Sequence, residues 1–430
     1  MKPLNWLLLA GSLLFAAFVM QSPYLAFSIY IFLTLAVLAW GSAFLWLARV
    51  DCERSISETT VRQGDTVRVH VKVTNPHPWP IPWIFIEDYH PTDFPRMGDN
   101  KRLLSLMPGQ SASLDYTLTC PRRGYHPIGP LMMESGDLFG LQKRFRSGKR
   151  RDYLSVLPTV AYIDTFNVAS RRPQGPVRFS NRIYEDPTRI HNIREYVPGD
   201  PMKNVHWKAT ARTGRLHVKT HEPSTVMGGT LLLDLHDESY VPEKKVERME
   251  LAITTAASIA YLLQMSGEQV GMVTNARDAA EVARYESDTA HAESRYEMDD
   301  LLRAPDEGAT RISPLSVRTA RSPIQAQQII ENLARVLPSD NLDASALLLA
   351  SFRGLPRDAA LLPVVPQVTE RLAWTLASIK MSGFSVTVFF INQHKGYDEA
   401  CRLLAPHAIP VLHIQHASSL HEISPAAIGQ

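Results

Sequence analysis

The chain has 430 residues, 45 % of them apolar, and its 45 Lys and Arg residues nearly balance 43 Asp and Glu residues. This length predicts two or three domains with ample core, and the net charge of +2 argues against a protein that binds polyanions over its whole surface. The three cysteines, Cys52, Cys120 and Cys401, are scattered and lack metal-ligand spacing, which argues against a disulfide framework.

The first 50 residues contain two uncharged apolar runs, 4–20 and 24–48, separated by a short polar break. Because a membrane-crossing helix needs about 20 apolar residues, a transmembrane helical hairpin is predicted for residues 1–50. A signal peptide is the alternative interpretation of the first run. Lys2 precedes the runs and Arg49 follows them, so the positive-inside rule places both ends of the hairpin in the cytoplasm.

Residues 51–160 change to short alternating runs rich in proline and glycine. Clean alternation of apolar and polar residues predicts a strand at 66–73, and further strands are predicted at 81–89 and 111–118. Turn residues about every ten positions, without an amphipathic helix, favour a β-sandwich domain. Its expected role is that of a spacer or docking domain.

A segment at 161–223 follows, and its first part, 161–192, is polar and rich in arginine. This part is interpreted as a solvated linker, with an anion-binding patch as the alternative. Pro198 and Gly199 then occupy the central positions of a predicted type II turn.

Asp200 and Pro201 are expected to cap and open a short helix. The helix would carry Val205, Trp207 and Lys208. Thr213 and Gly214 supply a second turn, after which period-two alternation over 216–221 predicts a strand with one basic face. Trp207 and Tyr196 are interpreted as anchors in a core between domains.

Between Arg189 and Glu222 there are seven Lys or Arg residues and three acidic residues, a local excess of positive charge. The cations Arg194, Lys208, Arg212 and Arg215 either pair with the segment's own acids or meet an acidic partner. Residues 194–200 read Arg-Glu-Tyr-x-Pro-Gly-Asp, residues 206–209 read His-Trp-Lys-Ala, and residues 211–216 read Ala-Arg-Thr-Gly-Arg-Leu.

This ordered pattern resembles the signature of the DUF58 family, a group of bacterial proteins often found beside a MoxR-type AAA+ ATPase. The resemblance implies a signature, or partner-binding, role for Arg194, Glu195, Tyr196, Pro198, Gly199, Asp200, His206, Trp207, Lys208, Arg212, Gly214 and Arg215. It implies no catalytic reaction, since the family has none established.

From 224 to 416 apolar strand-like runs alternate with helix-like stretches, and a tail follows at 417–430. One apolar stripe on a helix is predicted from Val246, Met249, Ile253, Ala256, Ala260 and Leu263. Strand-like runs are expected at 229–234, 269–273, 359–365, 384–391 and 409–414, with helices at 322–337 and 367–381. This alternation favours an open parallel α/β sheet, in which ligands bind beyond the carboxyl ends of the strands.

The order of strand, carboxylate and helix makes this region similar to a von Willebrand factor A domain, which the DUF58 family usually carries. That resemblance implies a divalent metal, Mg²⁺ or Mn²⁺, bound beside Asp234 at the end of the first strand. His236 and Glu238 stand where the metal-binding serines of such domains would be, and Thr310 is the candidate for their threonine. A metal-free fold is therefore preferred over a functional metal site.

The fold class expected from the whole sequence is multi-domain: two N-terminal transmembrane helices, a β-sandwich, and an open-sheet α/β domain of the von Willebrand factor A type. The function expected is that of a non-enzymatic, membrane-anchored scaffold or adaptor at the bacterial inner membrane, with its remainder facing the cytoplasm. Its expected partner is a protein, the MoxR-type AAA+ ATPase, in a chaperone-like or assembly complex, and no cofactor is assigned.

Two other function classes stay open. A metal-dependent hydrolase would use Asp234, His236 and Glu238 for acid–base chemistry, although the sequence lacks Gly-x-Ser-x-Gly, His-Glu-x-x-His and P-loop motifs. A binder of anionic lipid or nucleic acid would use the basic segment. Interleaved acids and few aromatics argue against nucleic acid.

Overall fold

The structure is a computed structural model of the chain, which divides into two compact units. Unit 1 comprises residues 1–157 and 280–309, and unit 2 comprises residues 158–279 and 310–430. The structure describes residues 11, 12, 15, 23–48, 50–137, 143–148, 151–163, 184–197, 202, 205–224, 228–289, 315–357, 359–391 and 394–422.

Unit 1 is built mainly from strands. Its elements are helix α1 (Pro23–Ala48) and strands β1 (Asp51–Ile56), β2 (Thr60–Arg62), β3 (Thr66–Thr74), β4 (Ile81–Asp88), β5 (Arg96–Gly98), β6 (Lys101–Leu106), β7 (Ser111–Thr119), β8 (Gly124–Ile128), β9 (Leu131–Gly136), β10 (Lys143–Ser147) and β11 (Asp152–Leu157).

The strands of unit 1 form two four-stranded sheets, in the orders β1-β3-β7-β5 and β10-β9-β4-β6, and a three-stranded sheet β2-β11-β8. The strand predicted at 66–73 is β3, in which Val67, Val69, Val71 and Val73 are buried and the residues between them are exposed. Valines of the first sheet share one core with apolar residues of the second, such as Ile84 on β4. Sharing a core in this way is the packing of a β-sandwich.

A buried ion cluster lies within unit 1. The Arg54 side chain, only 5 % exposed, pairs with fully buried Asp88 and with Asp152. Its Nε donates to Asp88 Oδ2 at 3.0 Å, and its Nη1 donates to Asp152 Oδ2 at 3.1 Å. The Tyr116 hydroxyl donates to Asp88 Oδ2 at 2.8 Å. Asp88, which would be costly to bury alone, therefore has both a countercharge and an additional donor.

The predicted membrane anchor is not supported. The first predicted run, 4–20, lies almost wholly outside the described residues, and the second coincides with α1. Within the part of the chain that the structure describes, no helix supplies a segment both long and apolar enough to cross a membrane. The fold class with two N-terminal transmembrane helices is therefore wrong, and the multi-pass membrane location is not supported.

The end of the apolar run packs against protein. Trp46 and Leu47, in the last turn of α1, are buried in the same core as the sandwich strands. The Arg146 Nη1 on β10 donates to the Leu47 carbonyl at 2.8 Å. These apolar side chains are thus buried by protein, a role that hydropathy alone does not distinguish from burial in lipid.

Unit 2 alternates strands and helices. Its elements are β12 (Tyr184–Glu195), α2 (Trp207–Thr213), β13 (His217–Ser224), β14 (Gly228–Leu233), α3 (Lys245–Met265), β15 (Gln269–Thr274), β16 (Arg277–Asp278), β17 (Leu315–Ala320), α5 (Gln325–Arg335), β18 (Val336–Leu337), α6 (Ala344–Ser351), β19 (Ala360–Val365), α7 (Glu370–Met381), β20 (Val388–Phe390), α8 (His394–Leu404) and β21 (Val411–His413). Helix α4 (Ala279–Thr289) follows β16, at the boundary between the two units in the sequence.

The main sheet of unit 2 has six strands in the order β17-β15-β14-β19-β20-β21. Its pairings are parallel except for that of β17 with β15, which is antiparallel. Apolar residues of α3 and α5 pack on one face, and those of α6, α7 and α8 pack on the other. The carboxyl end of β14 is therefore the end of a central strand covered on both faces, where α/β sheets place ligands.

Candidate functional site

The signature segment forms a small antiparallel pair of strands. In the pairing of β12 with β13, Arg194 lies opposite Val218 and Glu195 lies opposite His217. The basic strand predicted over 216–221 is thus present as β13. Strand β12 was missed, because its sequence was interpreted as a solvated linker: it begins at Tyr184, inside the polar stretch, and its register is irregular between Glu185 and Asn192.

The short helix of the segment begins later than predicted. Val205 lies before the helix, forms an isolated bridge with Val218, and is only 4 % exposed. Helix α2 starts at Trp207 and is capped by His206, whose Nδ1 accepts a hydrogen bond from the Ala209 backbone N–H at 3.0 Å. The expected cap, Asp200, lies outside the described residues, as do Pro198, Gly199 and Thr310.

The far end of α2 matches the predicted turn. Gly214 adopts φ +71°, in the left-handed region that favours glycine, and its N–H donates to the Thr210 carbonyl at 2.9 Å. The His217 N–H donates to Thr210 Oγ1 at 3.1 Å, and the His206 N–H donates to the His217 carbonyl at 2.8 Å. These bonds tie both ends of the helix to β13.

Helix α2 has no buried residue. Trp207, interpreted from the sequence as an anchor in a core between domains, is 66 % exposed. Lys208, Ala211 and Arg212 are exposed as well, and the pairs 207/211 and 208/212 are four residues apart, so they lie on neighbouring positions of the helix. We call this exposed side, formed by Trp207, Lys208, Ala211 and Arg212, the α2 surface.

The cations of the segment divide into two groups. The Arg215 Nη1 pairs with Glu195 Oε1 at 3.2 Å, and both side chains are mostly exposed. Such a surface pair contributes at most about 1 kcal/mol. Lys208 and Arg212 form no ion pair within the described residues. The ion pairing expected within the segment is therefore seen between Arg215 and Glu195. It is not seen for Lys208 and Arg212, the two cations of the α2 surface, within the described residues.

Further apolar side chains of the segment are exposed near α2 in the sequence. Val197 is 55 % exposed, Met202 59 % and Leu216 41 %. The Tyr196 N–H donates to the Leu216 carbonyl at 2.8 Å, so Tyr196, which precedes Val197 in the chain, lies beside Leu216. Tyr196 itself is half-buried. The segment thus combines exposed apolar and cationic side chains.

Asp234, the first residue of the predicted metal set, follows the carboxyl end of β14 and is buried. Its Oδ1 accepts from the His236 backbone N–H at 3.0 Å and from Asn275 Nδ2 at 2.7 Å. Asn275 Oδ1 accepts from the Leu235 N–H at 2.8 Å, and the Tyr240 hydroxyl donates to the Asp234 carbonyl at 2.7 Å. Burial raises the pKa of the Asp234 carboxyl above its ordinary value, although the bonds from Asn275 and His236 oppose that shift.

The other two described candidates for the metal set, His236 and Glu238, do not converge with Asp234 on a metal site. The His236 Nε2 is 3.2 Å from the Asp340 carbonyl, to which it donates, and Glu238 is exposed. Within the described residues, no group of three or more His, Cys, Asp and Glu side chains is placed to hold a metal ion. A hard divalent cation needs several convergent oxygens, so the residues seen around Asp234 do not fit one. The set of four residues that includes Thr310 stays a prediction.

Residues 192–310 match the family described as "Protein of unknown function DUF58". The chain is also 25 % identical over 253 residues to the uncharacterized protein YeaD of Bacillus subtilis (strain 168). That match covers 58 % of this chain and 61 % of YeaD, so the chain spans less than two thirds of its relative. Together the two matches support the DUF58 family.

Solved structures show low overall similarity. Proximal thread matrix protein 1 of the mussel byssus is 10 % identical with a TM-score of 0.30, covering 47 % of this chain and 46 % of that one. A FixG-related protein from Vibrio parahaemolyticus is 9 % identical with a TM-score of 0.18, covering 25 % of this chain and 95 % of that one. Values this low carry no argument about fold or function.

Proposed function

We propose that the segment matching DUF58 is a protein-docking site, through which this chain acts as a scaffold or adaptor for a MoxR-type AAA+ ATPase. The observation that carries the proposal is the exposure of Trp207, 66 %, on a helix that buries none of its own residues. Helix α2 contributes no buried residue to a described core. A role in contacting another protein therefore accounts for its exposed Trp207 better than a role in packing does.

Tryptophan supports a binding role on energetic grounds. A large exposed aromatic surface is favourable to bury, and Trp and Arg are the residue types most enriched where binding energy concentrates in protein interfaces. Trp207 and Arg212 are both on the α2 surface. Exposed Val197, Met202 and Leu216 extend the apolar part of the segment.

Charge indicates what kind of surface the partner presents. Lys208 and Arg212 lie beside the apolar residues of the α2 surface and form no ion pair in the described part of the chain. An acidic face on the ATPase would complement them, which speeds association and disfavours basic competitors.

The way α2 is held also favours binding. Its His206 cap, its Gly214 turn and its bonds to His217 fix the helix before a partner arrives. Ordering a flexible segment costs free energy on association, so a helix that is already formed retains more of the interaction energy.

The other functions open from the sequence receive less support. A nucleic-acid platform stacks successive bases on several aromatic side chains, whereas Trp207 is the one aromatic residue of α2. The hydrolase would need a reactive cluster at Asp234, whose carboxylate is instead engaged by Asn275 and by backbone.

The test is a binding titration of the purified full chain against the purified ATPase. Trp207→Ala should weaken binding about 30-fold or more, the range of an interface hot spot, and Arg212→Glu should weaken it through charge repulsion. Trp374→Ala is the matched control, because Trp374 on α7 is equally exposed, at 69 %. Arg353→Glu is the control for the charge reversal, since Arg353 is also exposed.

Binding that is unchanged by Trp207→Ala, or weakened equally by Trp374→Ala, would contradict the proposal. An ATPase that does not bind the wild-type chain at all would also overturn it.

A further inference from the structure

One end of the unit 1 sandwich is formed by two connections that are bonded to each other. They are residues 75–80, between β3 and β4, and residues 107–110, between β6 and β7. The Asn75 N–H donates to the Gln110 carbonyl at 3.0 Å, and the Gly109 N–H donates to the Asn75 carbonyl at 2.9 Å. We call this end, residues 75–80 and 107–110, the sandwich tip.

The sandwich tip exposes apolar side chains. Trp79 is 42 % exposed and Met107 is 60 % exposed. The prolines of the two connections are exposed as well: Pro76, Pro78, Pro80 and Pro108. The sequence has no Asp, Glu, Lys or Arg at 73–86 or at 103–114. Exposed apolar patches of this kind mark contacts with a protein, a ligand or a membrane.

The backbone of the tip is bonded largely within the tip. Asn75 is fully buried, and its two Nδ2 protons are shared among the carbonyls of Trp79, Leu106 and Met107, at 3.0, 3.1 and 3.2 Å. Its Oδ1 accepts from the His77 N–H at 3.0 Å. Because proline has no N–H, only His77 and Trp79 have a backbone donor between positions 76 and 80.

These features favour lipid over protein as the partner of the tip. Unsatisfied backbone groups are costly in a bilayer, so a loop that enters one must either pair them or lack them. Tryptophan is enriched at the interface between membrane and water. Protein association is directed by complementary charges, and the sequence of the tip has none to offer.

Charged residues near the tip have both signs. Asp51 and Glu53 lie at the start of β1, and Lys72 lies opposite Glu53. Arg102 on β6 donates to the Ser113 carbonyl at 3.3 Å. All four charged side chains are exposed. Contact with a bilayer is therefore expected to depend on burial of apolar surface rather than on attraction to negative headgroups.

Helix α1 joins the sandwich at the same end. Asp51, the first residue of β1, pairs with Thr74, which directly precedes the tip. Phe27, Val37 and Leu38 of α1 are exposed, at 68 %, 66 % and 62 %. Further apolar surface therefore precedes the strand that begins beside the tip.

We propose that the sandwich tip inserts peripherally into the interface of a lipid bilayer, with Trp79 and Met107 in contact with the lipid. This contact needs no helix that crosses the bilayer. It does not rest on the docking function of the α2 surface, so the two proposals can fail separately.

The test follows single tryptophans in the full chain, because α1 could hold the protein on lipid without the tip. The protein is labelled with fluorotryptophan, and each fluorine resonance is assigned as the one lost in Trp79→Phe, Trp207→Phe or Trp374→Phe. Bicelles of neutral phosphatidylcholine are added with and without a nitroxide at the headgroup. The Trp79 resonance should lose most of its intensity to the nitroxide, also at high salt. The resonances of Trp207 and Trp374, which are more exposed at 66 % and 69 %, should keep theirs.

A charge placed in the tip is the second arm. Met107→Glu keeps the backbone bonds of an exposed position and should restore most of the Trp79 intensity, because a carboxylate is costly to bury in lipid. Met381→Glu, at a position 86 % exposed on α7, is the matched control and should restore none. Thermal unfolding followed by circular dichroism verifies that both variants fold.

Equal losses at Trp79 and Trp374, or a loss that appears only with anionic lipid, would overturn the inference. A Trp79 resonance that ignores lipid and changes only when the ATPase is added would also overturn it, since the tip would then be a protein contact. None of these outcomes alters the test of the α2 surface by Trp207→Ala.

Discussion

Two arginines show how differently this chain uses the same side chain. Arg54, in the sandwich of unit 1, is 5 % exposed and is surrounded by Asp88 and Asp152. Arg212, on α2 of unit 2, is exposed and forms no ion pair in the described part of the chain. A buried arginine of this kind is needed to neutralise buried carboxylates, whereas an exposed one is unnecessary for folding. The contrast separates residues that maintain the fold from residues that are available to a partner.

The largest effect is expected at Arg54. Arg54→Ala leaves the carboxylate of Asp88 buried without its countercharge, so the free energy of unfolding should fall by about 3–5 kcal/mol. Urea unfolding followed by circular dichroism measures it. The unfolding free energy of the matched variant Arg212→Ala should stay within about 0.5 kcal/mol of wild type. Equal losses in the two variants would mean that the exposed arginine contributes as much to stability as the buried one.

A smaller effect is expected at Asp234. Asp234→Ala removes the acceptor of the buried Asn275 Nδ2 and of the part-buried His236 N–H, and should cost about 1–3 kcal/mol in unfolding free energy. Glu238→Ala, at an exposed position two residues after His236, is the control and should cost little. The opposite ranking would indicate that Glu238, rather than the hydrogen-bonded Asp234, maintains this end of the sheet.

The smallest effect is expected at the exposed ion pair of the signature segment. Glu195→Gln removes the charge that Arg215 meets at 3.2 Å, with both side chains mostly exposed. The expected loss of unfolding free energy is below about 1 kcal/mol and should shrink further at high salt. A loss that approaches that of Arg54→Ala would mean that the segment is held by its charges rather than by its strands and caps.

The sequence predicts best where one face of an element is buried. The valines of β3 and the stripe Met249, Ile253, Ala256, Ala260 and Leu263 of α3 are all buried, as their spacing indicated. Val246, included in the same stripe, is 73 % exposed because it lies in the first turn of α3. The spacing of apolar residues identifies the buried face of a helix, but it does not show how far along that helix the neighbouring elements pack.

The candidate site was predicted less well, for a related reason. Trp207 was interpreted as an anchor in a core between domains, whereas it is 66 % exposed; exposure depends on which elements pack on α2, and the local sequence does not encode that. Asp234 was recognised as a carboxylate at a strand end, whereas its partner Asn275 directly follows β15, 41 residues further along the chain. The apolar run of α1 was assigned to a membrane from hydropathy alone, which does not show that Trp46 and Leu47 at its end are buried in the sandwich core.

If the partner binds the α2 surface, site-specific photo-crosslinking should place it there. A photoreactive amino acid is placed at position 207 in one chain and at position 374 in another, and each full chain is irradiated with the AAA+ ATPase. We expect a covalent adduct from position 207 and none from position 374. Adducts of equal yield from both positions, or an adduct from position 374 alone, would contradict it.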